Sequence, residues 1–273
     1  MPTTQVNDIE VYYETRGHGS PLMLINGWGG NLNSWSTRMV GFLSERHCVI
    51  MMDNRGTGRS GKPDAPYTMD LMAADTAGLL DALGVKQAHV MGFSMGGIVA
   101  QALALNHPGK VRSLVLCGTN PGGIHRVSSS IHVQTELALI ASPLPEMTER
   151  DRTVKLLYLL YPRGYVEENL EKLILDETYS DHPTPDYALM RQSQAIAGFD
   201  SYDQLPSIKA PALVVTGVDD VLVPPRNSEI LAERIPDVRL VKVPGAGHGV
   251  LKQKTEEVVP VILRFLGEVD ERL

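Results

Sequence analysis

Short, continuous apolar runs recur along this chain, at residues 22–25, 48–52, 88–91, 111–117, 212–216 and 238–243, and constrain its fold more than any other feature. Each is bounded by Gly, Pro or Asn and is too short for a regular helix. Such runs, without polar alternation, predict strands buried on both faces of a parallel sheet. Parallel neighbours cannot be joined by a hairpin, so each pair demands a crossover. Helical segments lie where the crossovers are needed. Thr68 can cap a helix whose Met72, Leu79, Leu80 and Leu83 share a face and which Gly84 stops. Residues 95–106 are Ala-rich and end before Pro108; residues 227–235 and a C-terminal run through Phe265 and Leu266 complete the set. Pro260 marks a first turn or a kink in that last helix. Residues 5–15, broken at Asn7-Asp8, alternate as an edge hairpin. The expected architecture is α/β, a mostly parallel doubly wound sheet.

Residues 122–204 break the rhythm. They contain no clear buried strand, only helical-period stretches at 131–141, 149–160, 166–176 and 187–197 separated by prolines. The reading is a helical cap inserted in an α/β core, with core segments 1–121 and 205–273. The 273 residues allow one large domain with such an insertion.

The strongest chemical signal is Gly92-Phe93-Ser94-Met95-Gly96, placed between a buried strand and the Ala-rich helix. A sharp strand-to-helix turn strains the central residue, and only small flanking residues let neighbouring backbone pass. Ser94 is therefore the candidate nucleophile, against the alternative of a structural turn. A serine needs a base. Of eight histidines, His248 lies in Gly245-Ala246-Gly247-His248-Gly249, directly after the last strand run, where no bulky neighbour blocks the ring. His89 is read as structural; His18, His47 and His107 as turn or surface residues; His125, His132 and His182 belong to the insertion. The base needs an orienting carboxylate, and the loop after residue 216 offers two adjacent acids, Asp219 and Asp220.

Four segments resemble the α/β-hydrolase superfamily: Asp53-Asn-Arg-Gly-Thr-Gly-Arg-Ser60, Gly92-Phe-Ser-Met-Gly-Gly97, Gly217-Val-Asp-Asp-Val-Leu-Val-Pro224 and Gly245-Ala-Gly-His-Gly249. The similarity spans nearly the whole chain and is weakest across 122–204, where that family carries its variable cap. It implies an α/β-hydrolase fold with the chain order Ser, acid, His. The family acid stands three residues after the loop glycine, which selects Asp220. The resemblance also implies an oxyanion hole from the backbone N–H groups of Met95 and Trp28, although Asn26-Gly27 stands where relatives usually have His-Gly. The plainer alternative for Trp28 is a structural aromatic. Small-molecule carboxylesterases and 3-oxoadipate enol-lactonases look nearest.

A second glycine pattern, Gly56-x-Gly58-x-x-Gly61, matches a dinucleotide fingerprint, but Lys62-Pro63-Asp64-Ala65-Pro66 follows and cannot open a helix there. No cofactor or metal is expected. A net charge of −7 and a pI near 5.6 argue against a nucleic-acid partner. No apolar run approaches the ~20 residues of a membrane span. No signal peptide is visible at the start, so a soluble, cytoplasmic protein is expected. Cys48 and Cys117 read as buried free thiols. The expected activity is cleavage of a small-molecule ester or lactone, with Leu137, Ile140, Leu157, Leu160 and Met190 of the cap as candidate lining. Carbon–carbon hydrolases of meta-cleavage products, cofactor-free haloperoxidases and low-turnover receptors on the same fold share this triad. Dehalogenases and epoxide hydrolases of this fold use aspartate at the Ser94 position.

Overall fold

The computed structural model describes residues 2–142, 144–178 and 182–272. Among these, one sheet runs in the order β1-β2-β4-β3-β5-β6-β7-β8. Strands β1 (Thr3–Val6) and β2 (Ile9–Arg16) form the expected edge hairpin, with Asn7 at φ 51° in its turn. β2 also pairs antiparallel with β4 (His47–Met52). All other pairings are parallel: β3 (Ser20–Ile25), β5 (Ala88–Phe93), β6 (Val111–Cys117), β7 (Ala212–Gly217) and β8 (Val238–Val243). Every apolar run read from the sequence is one of these strands.

The two faces of the sheet carry separate apolar cores. Helices α2 (Met69–Ala82), α3 (Met95–Asn106) and α8 (Arg226–Arg234) cover one face, packing Met72, Leu79, Ile98 and Leu231 against Ile25, Val90 and Val214. Helices α1 (Thr37–Ser44), α9 (Val250–Gln253) and α10 (Thr255–Asp270) cover the other, where Leu43, Val250, Phe265 and Leu266 meet Leu24, Met91 and Val215. Thr68 caps α2 by accepting the Leu71 N–H at 3.0 Å, and Gly84 follows that helix at φ 67°. The apolar pattern did not reveal α1, a short helix interrupted by Gly41. Its N-terminus is set by Ser36, which accepts the Met39 N–H. Pro260 sits inside α10 rather than in its first turn, on the exposed side. There the carbonyl left without an intrahelical donor can be hydrated.

Between β6 and β7 lie α4 (Ile131–Ala141), α5 (Glu149–Leu160), α6 (Arg163–Thr178) and α7 (Asp186–Ala197). An isolated bridge between Gly122 and Asp200 closes the neck of this segment. Among the described residues no helix is long and apolar enough to cross a membrane. Cys48 and Cys117 are free, the first half-buried and the second buried.

The Gly56–Gly61 run is a turn wrapped around a buried carboxylate. Asp53 accepts the Leu32 N–H at 2.6 Å and the Arg59 N–H at 2.7 Å, and a side chain at Gly58 would lie 2.0 Å from its Oδ2. Arg55 beside it is buried between Asp75 (2.8 Å) and Asp8 (2.6 Å). The glycines make room for this network, not for a nucleotide.

Two histidines form a second buried network at the opposite, N-terminal end of the strands. His89 is fully buried, with Nδ1 2.7 Å from Ser113 Oγ and Nε2 donating to Asp270 at 2.9 Å; Arg112 donates to the same carboxylate oxygen at 2.8 Å. His47, expected at a turn or surface, is buried edge-on against His89 because it opens β4 in mid-sheet. Burial pushes both imidazoles below their ordinary pKa of 6.5, Asp270 only partly opposing it. The unfolded chain thus binds more protons than the folded one once the pH drops below 6.5, and stability falls as pH falls. The melting temperature should decline between about pH 7.5 and about pH 5.5. His47→Gln, which removes one of the two groups, should flatten that decline; a slope identical to wild type would assign the effect elsewhere.

Candidate active site

Ser94 occupies the turn between β5 and α3 at φ 54°, ψ −120°, a conformation rare for a residue with a side chain. Its N–H is held by the Cys117 carbonyl at 2.9 Å and its carbonyl by the Gly97 N–H at 2.9 Å. The motif glycines follow from crowding. A Cβ on Gly92 would lie 2.2 Å from the Gly96 carbonyl oxygen, and one on Gly96 would lie 2.0 Å from that of Ile25. Phe93 and Ser94 are half-buried while the residues on either side are buried, so the turn lifts the hydroxyl toward accessible space.

His248 and Asp220 come together from two loops at the C-terminal edge of the sheet. His248 Nδ1 donates to Asp220 Oδ2 at 2.8 Å, and both side chains are almost wholly buried. The other carboxylate oxygen accepts the N–H groups of Leu222 (2.9 Å) and Val223 (2.8 Å), which fixes the plane of the acid. Asp219 is exposed, and its N–H bonds to the Ala246 carbonyl. Burial therefore separates the two acids that the sequence left adjacent. The imidazole packs on the Phe93 ring, with centroids 5.0 Å apart, beside the Gly118 backbone. Phe93 thus carries His248 on its ring and Ser94 on its backbone. The glycines around His248 serve close approach: a Cβ on Gly249 would lie 2.2 Å from the Tyr161 ring, and one on Gly247 would lie 2.6 Å from the Leu160 carbonyl oxygen.

The loop after β3 lies over the serine; a Cβ on Gly27 would be 3.2 Å from that of Ser94. Successive peptides of this loop are fixed one by one. Asn26 accepts the Gly27 N–H at 2.8 Å through Oδ1, donates to the Asn31 carbonyl at 2.7 Å, and has its own carbonyl held by Asn54 at 3.0 Å. The Gly27 carbonyl accepts the Gly30 N–H at 3.2 Å, the Gly29 N–H donates to Gln192 Oε1 at 2.8 Å, and the Gly29 carbonyl accepts the Thr184 hydroxyl at 2.9 Å. Among the described residues, the Trp28 N–H alone in residues 27–30 has no protein acceptor. Met95 opens α3, so its N–H has no intrahelical acceptor. The Trp28 indole is also structural: it donates to the Leu189 carbonyl (3.0 Å) and Ser193 Oγ (2.9 Å). Sequence reasoning did not single out Gln192, Thr184 or Asn26 as a donor, because an isolated polar residue carries no periodic signal.

The cap residues divide. Ile140 is buried with Val133 and Leu159 in a cluster that takes in Leu137, Leu156, Trp28 and Leu222, joining α4 and α5 to the loops of Trp28 and Asp220. Leu157 and Leu160 belong instead to the cluster between α5 and α6, with Tyr161, Val166 and Leu173, so as side chains they hold the cap together. The Leu160 carbonyl accepts the Gly249 N–H at 2.8 Å, which ties α5 to the histidine loop. Met190 is 56% exposed, because α7 turns Ala188, Leu189 and Gln192 inward. An open cleft of about 660 Å³ runs between α4 and α5. Its lining includes Val133, Leu159 and Val221 but also the Lys155–Glu136 ion pair, His132 and Arg163, and none of Ser94, Asp220 or His248. Among the described residues, the one group of metal-type donors is His47, His89 and Asp270, within 4.8 Å of one another. Arg112 already places a guanidinium on that carboxylate, the positive charge a metal would bring.

The family model of the alpha/beta hydrolase fold matches residues 20–255. A protein of Azorhizobium caulinodans, provisionally named carbamate hydrolase RutD, is 33% identical over 272 residues, covering 99% of this chain and 100% of its own. The enol-lactonase of Burkholderia xenovorans LB400 superposes with a TM-score of 0.83 at 26% identity, over 97% of this chain and 100% of that one. A thermophilic esterase of Thermogutta terrifontis does so with a TM-score of 0.81 at 28% identity, over 96% and 94%. The strand order, the strained turn at Ser94 and these matches lead to one conclusion: the chain belongs to the α/β-hydrolase fold family and is a hydrolase.

Proposed function

We propose that this protein is a serine hydrolase that cleaves a carboxylic ester or lactone of a small organic molecule through an acyl-enzyme. The observation that carries the reading is the buried His248–Asp220 bond beside a serine held at positive φ. Among the described residues Asp220 has no other charge partner, and accepting from Nδ1 it leaves Nε2 as the basic nitrogen. His248 takes the Ser94 proton as the hydroxyl oxygen attacks the substrate carbonyl, and Asp220 stabilises the imidazolium. The Trp28 and Met95 N–H groups donate to the developing oxyanion, each worth roughly 10²–10³ in rate. The protonated His248 then gives its proton to the leaving group, and water, deprotonated by the same nitrogen, releases the acid.

Apolar Leu137 and Ile140 beside Trp28 suit a small, partly apolar substrate better than a polymer. The name of the full-length relative favours a second substrate, a carbamate, whose carbonyl carbon the same machinery could attack.

Ser94→Ala should keep the fold and lower kcat by about 10⁶. A fluorophosphonate attached to any serine but Ser94, read by peptide mass spectrometry, would assign the nucleophile wrongly. Asp220→Asn should reduce kcat by about 10⁴ through the wrong tautomer of His248, whereas Asp219→Asn, on an exposed group, should change it little; the reverse order in steady-state kinetics would shift the acid by one residue. In a panel of p-nitrophenyl esters, lactones, carbamates and meta-cleavage dienones, acetate and butyrate esters should be hydrolysed and long acyl chains poorly. Selective turnover of a carbamate or a dienone, with esters at background, would replace the ester reading.

A further inference from the structure

We infer that Gln192, on the cap helix α7, is the positioning residue of the oxyanion hole: its side-chain amide fixes Gly29, the pivot of the turn in which the Gly30 N–H holds the Gly27–Trp28 peptide, and so keeps the Trp28 N–H facing the reacting carbonyl. The inference rests on the serine-hydrolase reading above and adds to it a part played by the cap.

Gln192 is fully buried, and both ends of its amide are used. Oε1 accepts the Gly29 N–H at 2.8 Å, and Nε2 donates to the Arg55 carbonyl at 3.1 Å. The second bond anchors the amide to a rigid point, because the Arg55 side chain is locked between Asp8 and Asp75. The first bond reaches the loop at the one peptide that the loop itself does not fix. Asn26 and the Gly30 N–H hold the peptides before it, and Thr184, also from the segment between β6 and β7, holds the one after. Gly29 stands at φ 67°, where backbone without a side chain can rotate at low cost, so an external bond has to set it. If Gly29 rotated, the Gly30 N–H would leave the Gly27 carbonyl, and the Gly27–Trp28 peptide, which carries the Trp28 N–H, would be free to turn away from the space above Ser94.

A purely structural role predicts something different. If Gln192 only glued α7 to the core, its loss would resemble the loss of any other docking contact, such as the Arg191–Asp64 ion pair one residue away. Stability would fall and chemistry would not. A positioning role predicts loss of transition-state binding without loss of substrate binding.

The test uses the full chain with two probes that do not depend on the natural substrate: the second-order rate of Ser94 labelling by a fluorophosphonate, and the inhibition constant of phenylboronic acid, whose tetrahedral adduct needs the same donors. Gln192→Leu, which has no acceptor, and Gln192→Asn, too short to reach both partners, should each slow labelling by about 10²-fold and weaken boronate binding by a similar factor. KM for p-nitrophenyl acetate should stay within about threefold. Gln192→Glu keeps an acceptor for the Gly29 N–H and should recover to within about tenfold of wild type. Arg191→Ala should lower the melting temperature while leaving both probes near wild type. Wild-type labelling rates in Gln192→Asn, or equal loss in Arg191→Ala, would overturn the inference while leaving the serine-hydrolase reading intact. Failure of a fluorophosphonate to label Ser94 in the wild type would overturn both.

Discussion

The constraint on which the rest depends is the lack of room where β5 turns into α3. The Ile25 carbonyl, Gly92, Gly96 and Thr119 pack so closely that any side chain at the glycines would overlap backbone or a neighbouring residue. That closeness forces Ser94 to positive φ, at a cost of order 1–3 kcal/mol for a non-glycine residue. The cost is met by packing: α3 is buried along nearly its whole length, and β5 is buried on both faces between β3 and β6. Ser94 is thus held by elements that cannot relax without opening both cores. The proposed mechanism needs that rigidity, since Ser94, Asp220 and His248 come from three loops far apart in sequence.

Polar chemistry supplies what apolar packing cannot. Buried carboxylates and amides fix the loops at the C-terminal edge. Asp53 ties the turn at 56–61 to the start of the segment after the Trp28 loop, Asn26 and Asn54 hold that loop from below, and Asp220 sets its own turn through two N–H groups before it reaches His248. Each group is buried and has its partners, so removal of one leaves the other unsatisfied at about 1–3 kcal/mol. The resemblance of residues 56–61 to a phosphate-binding fingerprint arises from this role: Gly58 is small because Asp53 occupies the space beside it.

What could be read from the sequence follows from which signals are local. A strand buried on both faces must be continuously apolar, so all the parallel strands were legible, and helices such as α4 and α5 announced themselves through period and the prolines that separate them. The eight residues of α1, with Gly41 among them, gave too weak a pattern. Burial of His47 was illegible because it depends on β4 lying between β2 and β3, a matter of topology and not of neighbours in sequence. The same limit explains the cap. A helical period shows that Leu157 and Leu160 share an apolar side; it does not show that the side faces α6 instead of Trp28. Composition of the loop did not part Asp219 from Asp220; the family resemblance selected Asp220, and the structure turns Asp219 outward and Asp220 inward.

The cap touches the loops of Trp28, Asp220 and His248. Its α7 bonds to the Trp28 loop, the cluster of Ile140 and Leu159 reaches Leu222 two residues from Asp220, and the end of α5 accepts the Gly249 N–H next to His248. A cap attached at all three points cannot be exchanged as an independent module. Residues that dock it, such as Gln192, Leu189 and Leu160, are tied to the loops of Trp28 and His248, whereas His132, Lys155 and Arg163 line the cleft between α4 and α5, whose lining includes none of Ser94, Asp220 and His248. Change of substrate by change of cap is therefore easiest at that cleft and along the inward side of α4, where Leu137 and Ile140 stand against Trp28. There a side chain alters the shape of the space without removing the hydrogen bonds from Gln192 and Thr184 that hold the Trp28 loop.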